Sequence, residues 1–185
     1  IAGNSLTIAI TAIGGVTSPV LRSHAQAGDA VYLTRGTGKS LAGLILLTRG
    51  LASIDEPAVK MFQRPDFHPE DLLEFGFENM SALMDVSDGL VSDLPRIARA
   101  SRVGIDLDVS VNQLTYLREF AEKLNIPELE LFLRSGEEHS FIVVIPEQHL
   151  SKVPPQWIKI GKVVAGAQIT LHGAALEIVE KSWHW

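Results

Sequence analysis

The chain of 185 residues contains no cysteine. That excludes a disulfide framework and any thiolate-ligated metal, and it fits a cytosolic protein. Long apolar runs are missing too. The longest, Leu41–Leu47, includes Gly43 and is far too short to cross a bilayer. No signal peptide is visible in the sequence. No basic stripe is present: 16 Lys and Arg stand against 22 Asp and Glu, the signs are interspersed, and the net charge is −6. That balance argues against a nucleic-acid partner. The six histidines are scattered with no H-x-x-x-H pair, so a zinc site is unsupported. Internal repeats, heptads and low-complexity segments are absent as well. What remains is ordinary globular composition, 46% hydrophobic and 21% charged. It suffices for one substantial domain, or one domain plus a fragment of another. The first residue is Ile1 rather than methionine, and we expect that a segment upstream was removed or never included.

Hydrophobic periodicity predicts a mixed chain. Leu6–Ile13 is β-branched and apolar and reads as a strand ended by Gly14-Gly15; Ala30–Thr34 reads as a second, opened by the turn residues Gly28-Asp29. Lys39–Leu47 reads as a buried helix with Gly50 as its stop. Helical patterns run over Glu56–Phe62 and Pro69–Met84, followed by the helix after Asp88 and a strand at Gly104–Val109. Helices over Gln113–Leu124 and Pro127–Leu133 come next; strands Phe141–Ile145, Ile158–Val164, Ile169–His172 and Leu176–Val179 finish the chain. Strands and helices alternate irregularly, which predicts an α+β, sandwich-like domain with a mixed sheet and packed helices.

The densest chemistry lies in Met84-Asp85-Val86-Ser87-Asp88-Gly89-Leu90, running on into Val91-Ser92-Asp93-Leu94. Two carboxylates and a hydroxyl fall within four positions at a strand-to-helix junction. Ser87 or Asp88 can cap a helix whose apolar positions Leu90, Leu94, Ile97 and Ala98 recur at helical spacing. In an extended lead-in Asp85 and Ser87 point the same way, and Asp88 follows at the positive end of the helix. Hard oxygen ligands beside free N–H groups suit Mg²⁺ carrying a nucleotide's phosphates. The plainer alternative is an acidic helix start with Gly89 in its first turn.

Other candidates divide the same way. Gly36-Thr37-Gly38-Lys39-Ser40 looks like the end of a phosphate-binding loop, but that pattern needs glycine at position 33, where the chain has Leu33. The expectation is a glycine-rich turn with Lys39 as a solvated charge. In Ser135-Gly136-Glu137-Glu138-His139-Ser140 a glycine-anchored turn can hold Glu137 at the mouth of a cleft; a solvated loop is the alternative. Asp106 and Asp108 lie on one face of a predicted strand and read as a solvated edge. The terminal Trp183-His184-Trp185 offers indoles that can stack on a planar ligand or pin the terminus to the core.

Taken in order, several runs resemble the C-terminal portion of the thiamine-monophosphate kinase family, within the aminoimidazole-ribonucleotide-synthetase-like superfamily. They are Leu6–Gly14, Arg22-Ser23 with Gly28–Thr34, Ser40–Leu44, Met84–Leu94, Ser135-Gly136-Glu137 and Ile160–Val164. The resemblance implies transfer of the ATP γ-phosphate to thiamine monophosphate, direct and in line, with Mg²⁺. It implies Asp85 and Asp88 as Mg²⁺ ligands, Ser87 and Arg22 as ATP contacts, Glu137 as a thiamine-binding residue, and Trp183 stacking near it, with Trp185 as the alternative. It also implies a cytoplasmic homodimer. Residues 1–16 become the last strand and hinge of an absent N-terminal domain, and 17–185 the C-terminal domain, a fragment expected to be inactive alone. The chain departs from the family at Ser135–Ser140, where a glycine-glycine-glutamate-aspartate-tyrosine-glutamate run is usual, at the Thr34–Thr37 turn and at Lys39, usually acidic. Rival readings are a selenophosphate synthetase-like or hydrogenase-maturation-like enzyme, or a non-catalytic binding or dimerisation module.

Overall fold

The computed structural model describes residues 8–176. A seven-stranded sheet runs through it: β1 (Ala30–Leu33), β2 (Ala82–Asp85), β3 (Gly104–Leu107), β4 (Phe141–Ile145), β5 (Ile158–Val164), β6 (Ile169–Leu171) and β7 (Ala174–Ala175). Their order across the sheet is β2-β4-β1-β5-β3-β6-β7, and every pairing is antiparallel except β3 with β6. Six α-helices accompany it: α1 (Lys39–Thr48), α2 (Pro57–Gln63), α3 (Glu70–Phe75), α4 (Leu90–Ser101), α5 (Arg118–Leu124) and α6 (Glu128–Arg134). The α+β class with a mixed sheet and packed helices is the observed one.

Strand alternation sorts the core onto two faces. Val31, Leu33, Ile142 and Val144 point to one side, where Leu46 of α1, Leu94 and Ile97 of α4 and Leu131 of α6 bury them. Val143 and Ile145 point to the other, beneath Leu72 and Phe75 of α3 and Trp157. β4 is buried from both sides, which is why its sequence is a continuous apolar run rather than an alternating one. Burying one such aliphatic side chain contributes about 1.5–3 kcal/mol. Gly43 lets α2 lie directly on α1: a Cβ there would sit 1.9 Å from the carbonyl oxygen of Ala58.

Five sequence expectations need correction. Residues 8–13 form no strand: Ile8, Ile10 and Ile13 are 75%, 91% and 95% exposed, because no strand lies alongside to pair their backbone. Leu6 and Thr7 lie outside the described residues. The helical pattern over Pro69–Met84 breaks at Gly76, whose φ of 88° leaves the helix, and Ala82–Asp85 is β2. The segment beginning Gln113 opens as a 3-10 turn, Val111–Leu117, capped by reciprocal Ser110–Gln113 hydrogen bonds, before α5. The last described strand is Ala174–Ala175; Leu176 carries no strand, and 177–179 lie outside the described residues. Asp106 is also no edge residue, since β3 lies between β5 and β6. It accepts hydrogen bonds from the Thr170 hydroxyl at 2.5 Å and the Gly173 N–H at 2.9 Å, which hold its carboxyl below the usual range.

Candidate functional site

Two strand-to-helix junctions meet a single loop here. At the β2–α4 junction, Asp85 ends the strand exposed, Val86 turns inward at 1% exposure, and Ser87 and Asp88 are half-buried. That alternation continues the extended lead-in. The predicted cap is absent: Gly89, at φ 95°, occupies the cap position, and neither the Ser87 nor the Asp88 side chain accepts a helix N–H there. The polarity is reversed. Asp93, fully buried, turns back from inside α4, and its Oδ2 accepts the Ser87 N–H at 2.9 Å and the Asp88 N–H at 3.0 Å. Its Oδ1 accepts Nη1 of Arg96 at 2.7 Å, while Nη2 of the same guanidinium donates to Asp88. Burial pushes the Asp93 carboxyl up despite the two amides, and the neighbouring Asp88 holds Arg96 firmly charged. Asp93 thus fixes the backbone of the loop, leaving the Asp85 and Asp88 side chains outward.

The β1–α1 junction answers the question of a phosphate loop. Gly38, at φ 115°, turns the chain into α1 against Leu117, leaving no room for a side chain. The first amides of the helix are already taken. Oε1 of Glu138, a residue only 2% exposed, accepts the Gly38 N–H at 2.6 Å and the Ser40 N–H at 3.1 Å. Ser135 donates its hydroxyl to the same oxygen and accepts the Leu41 N–H at 2.9 Å. A carboxylate at the positive end of a helix fills the position an incoming phosphate would take. Burial nevertheless raises the Glu138 carboxyl above its ordinary value, and its Oε2 has no partner among the described residues. Lys39 is exposed, as expected, with its ammonium 5.8 Å from the Tyr116 ring centre.

The loop carrying Ser135–Ser140 joins the two junctions. The Glu137 N–H donates to the Ser87 carbonyl at 2.9 Å, and a Cβ on Gly136 would come within 2.5 Å of that same oxygen. A Cβ on Gly89 would likewise come within 2.8 Å of the Arg134 carbonyl. Glu137 and His139 both adopt left-handed backbone, φ 54° and 52°, a conformation costly for residues with a Cβ. The resulting twist sends Glu137 outward and Glu138 inward. Between the three segments lies a cavity of about 220 Å³, lined by Leu41, Leu44 and Phe62 and by the polar Ser87, Asp88 and Glu137. Three of the predicted site residues therefore meet at one cavity, and Asp85 adjoins it in sequence.

Arg22 does not join them. It is exposed, and its carbonyl accepts the Ser101 hydroxyl at the far end of α4, about 18 Å along that helix from Gly89. Trp183 and Trp185 lie outside the described residues. Sequence reasoning missed the roles of Asp93 and Arg96, although the two stand three residues apart on α4. It also missed Glu138, whose partners are 98–100 residues away, and Phe62, which only the α1–α2 packing delivers to the cavity. No cluster of three or more His, Cys, Asp or Glu poised to hold a metal exists among the described residues.

A sequence model of the family described as AIR synthase related protein, C-terminal domain, matches residues 26–174. The chain belongs to this family. The match begins just before β1, ends at the start of β7, and so contains both junctions of this AIR synthase related domain. The domain is similar to a thiamine-monophosphate kinase of Leptospira interrogans, 34% identical over 148 residues that cover 77% of this chain and 46% of that one. A thiamine-monophosphate kinase of Mycobacterium tuberculosis is 32% identical over 173 residues, 90% of this chain and 50% of the other. Among solved structures, AaThiL complexed with AMPPCP and TMP superimposes with a TM-score of 0.75 at 28% identity, covering 90% of this chain and 54% of that one. The AIR synthase related domain spans about half the length of the curated relatives it matches.

Proposed function

We propose that this domain is the C-terminal half of a thiamine-monophosphate kinase, transferring the γ-phosphate of ATP to thiamine monophosphate. The observation that carries the reading is the backbone bond from Glu137 to Ser87, which brings two segments fifty residues apart in sequence to one cavity. Fold alone would not suffice, since one architecture hosts many chemistries. The relatives' names and the complex of AaThiL with AMPPCP and TMP supply the substrate class.

In this reading Asp85 and Asp88 hold Mg²⁺. The donor set suits that ion, which commonly takes one or two carboxylates and completes its shell with water and phosphate oxygens. Two carboxylates fit such a partial shell and fall short of a closed protein cage. Mg²⁺, when bound, supplies neutralisation of the charge spread over the phosphates. The chain's own residues bind and orient. The Ser87 hydroxyl and, in the assembled enzyme, Arg22 contact the nucleotide. Glu137 faces the cationic heterocycle of the substrate, Leu41, Leu44 and Phe62 exclude water from one side of it, and Trp183 stacks near it. Asp93 keeps Ser87 and Asp88 in register from behind.

The same reading makes residues 1–16 the last strand and hinge of an N-terminal domain that completes the site, a strand that residues 8–13 would form only when paired within that domain, and it makes the whole enzyme a cytoplasmic homodimer. No described helix is long and apolar enough to cross a membrane. A polypeptide of these 185 residues alone is expected to form no thiamine diphosphate, since in-line transfer needs charge stabilisation from both sides of the phosphates. The test is an assay of the complete protein with ATP, Mg²⁺ and thiamine monophosphate, separating thiamine diphosphate chromatographically. Turnover supports the reading. ATP consumption with a different acceptor, and none with thiamine monophosphate, overturns it.

A further inference from the structure

We propose that Arg96 serves as a stand-in cation for the carboxylate loop, and that its guanidinium passes from Asp88 to a nucleotide phosphate when a divalent ion takes Asp88. The inference rests on the reading of Asp85 and Asp88 as metal ligands and adds a residue to that site. Arg96 stands in the second turn of α4 and faces three carboxylates: it hydrogen-bonds Asp88 and Asp93 and lies within electrostatic reach of Asp85. Arg96 thus sets a positive group among the carboxylates of the loop.

The two hydrogen-bonded contacts differ in kind. Asp93 is fully buried and its second oxygen is spent on the Ser87 and Asp88 amides, so it is a permanent partner fixing one arm of the guanidinium. The Asp88 side chain is 44% exposed and lines the cavity, so it is an exchangeable partner for the other arm. A half-exposed ion pair is weak enough to be replaced by a divalent cation. The arm released from Asp88 would be free to donate, and a guanidinium fork can hold a carboxylate on one side while donating to a phosphate oxygen on the other. Arg96 therefore opposes the metal when nucleotide is absent and assists the phosphate when it is present.

Those roles predict opposite signs for one substitution. In the complete enzyme, Arg96→Gln should raise Mn²⁺ affinity without nucleotide about fivefold, the exposed pair being gone. It should weaken binding of ATP at saturating Mg²⁺, where Asp88 is already taken by the ion, about tenfold, one charge-assisted contact being lost. Mn²⁺ binding is read by loss of the free-ion electron paramagnetic resonance signal, ATP binding by calorimetry at saturating Mg²⁺ without thiamine monophosphate, and thermal unfolding is recorded alongside. Arg96→Lys, which keeps the charge without the fork, should move both affinities the same ways but less, and it carries the test if the glutamine variant does not fold. A purely structural role would weaken both ligands together and lower the melting temperature, and that result overturns the proposal. So does Mn²⁺ affinity that is unchanged in a folded Arg96→Gln. If Mn²⁺ binds neither wild type nor variant, or binds Asp88→Asn as well as wild type, the metal assignment itself fails and takes this inference with it.

Discussion

The β1–α1 and β2–α4 junctions are built alike and offer opposite chemistry. Each runs from a strand through a glycine of positive φ, Gly38 or Gly89, into a helix, and in each a buried carboxylate satisfies backbone N–H groups near the helix start. At β1–α1 that carboxylate is Glu138, reaching across the fold to consume the amides an anion would need. At β2–α4 it is Asp93, six residues along the same segment, and by holding the backbone from behind it leaves Asp85 and Asp88 facing out. Glycine, turn and helix therefore do not define a phosphate site. The source of the capping carboxylate decides whether a junction is closed, or presents oxygens to a cation.

The sharpest way to break the second junction is Gly89→Ala. A Cβ at φ 95° and 2.8 Å from the Arg134 carbonyl combines backbone strain with overpacking, for an expected loss of about 3 kcal/mol in chemical denaturation. Removing the two caps compares the junctions directly. Glu138→Ala strands the Gly38 and Ser40 amides and the Ser135 hydroxyl, with an expected cost of about 3 kcal/mol. Asp93→Ala strands two amides while Arg96 keeps Asp88, so about 2 kcal/mol is expected. The reverse order, measured in the same denaturant, would contradict the account of which cap bears more of the structure.

Glu138→Gln gives a smaller and pH-dependent effect. Burial holds the Glu138 carboxyl above its ordinary value, so the folded protein binds that proton more tightly than the unfolded chain. The associated stability is full below the ordinary carboxylate range and is lost as pH rises toward the raised value. The stability difference, wild type minus Glu138→Gln, should therefore shrink as pH rises through that window. A difference that grows with pH would mean the carboxylate is stabilised in place by its amides. The smallest effect belongs to Lys39→Ala, expected within about 0.5 kcal/mol of wild type because the side chain is exposed beside Tyr116.

The two junctions also explain what the sequence could reveal. The side chains that hold the β2–α4 loop, Asp93 and Arg96, lie within the same short run, and its strand-to-helix character, its outward carboxylates and its glycine were legible. The detail that failed, capping by Ser87 or Asp88, failed because Gly89, at φ 95°, takes the cap position, while Asp93 accepts the N–H groups of Ser87 and Asp88 themselves. The rejection of a phosphate loop at Gly36–Ser40 was right in outcome, but the missing glycine at 33 was only part of the reason. The decisive occupant, Glu138, comes from a contact no local pattern encodes. Likewise β4 and β5 were readable with their observed bounds from apolar content, whereas residues 8–13 have strand composition without a neighbouring strand. Phe62 reached the cavity only through the close approach at Gly43. The roles of Arg22, Ser87, Asp85, Asp88, Glu137 and Trp183 come from resemblance and stand as proposals.

The central claim is that the β2–α4 junction, and not the β1–α1 junction, carries the metal-bound nucleotide. The most direct measurement is the initial rate of thiamine diphosphate formation by the complete protein, comparing Asp88→Asn with Lys39→Ala at saturating ATP and Mg²⁺. The account predicts a loss of about a hundredfold or more for Asp88→Asn, as expected when a catalytic metal loses a carboxylate, and a rate near wild type for Lys39→Ala. A near-normal rate for Asp88→Asn with a collapsed rate for Lys39→Ala would contradict it.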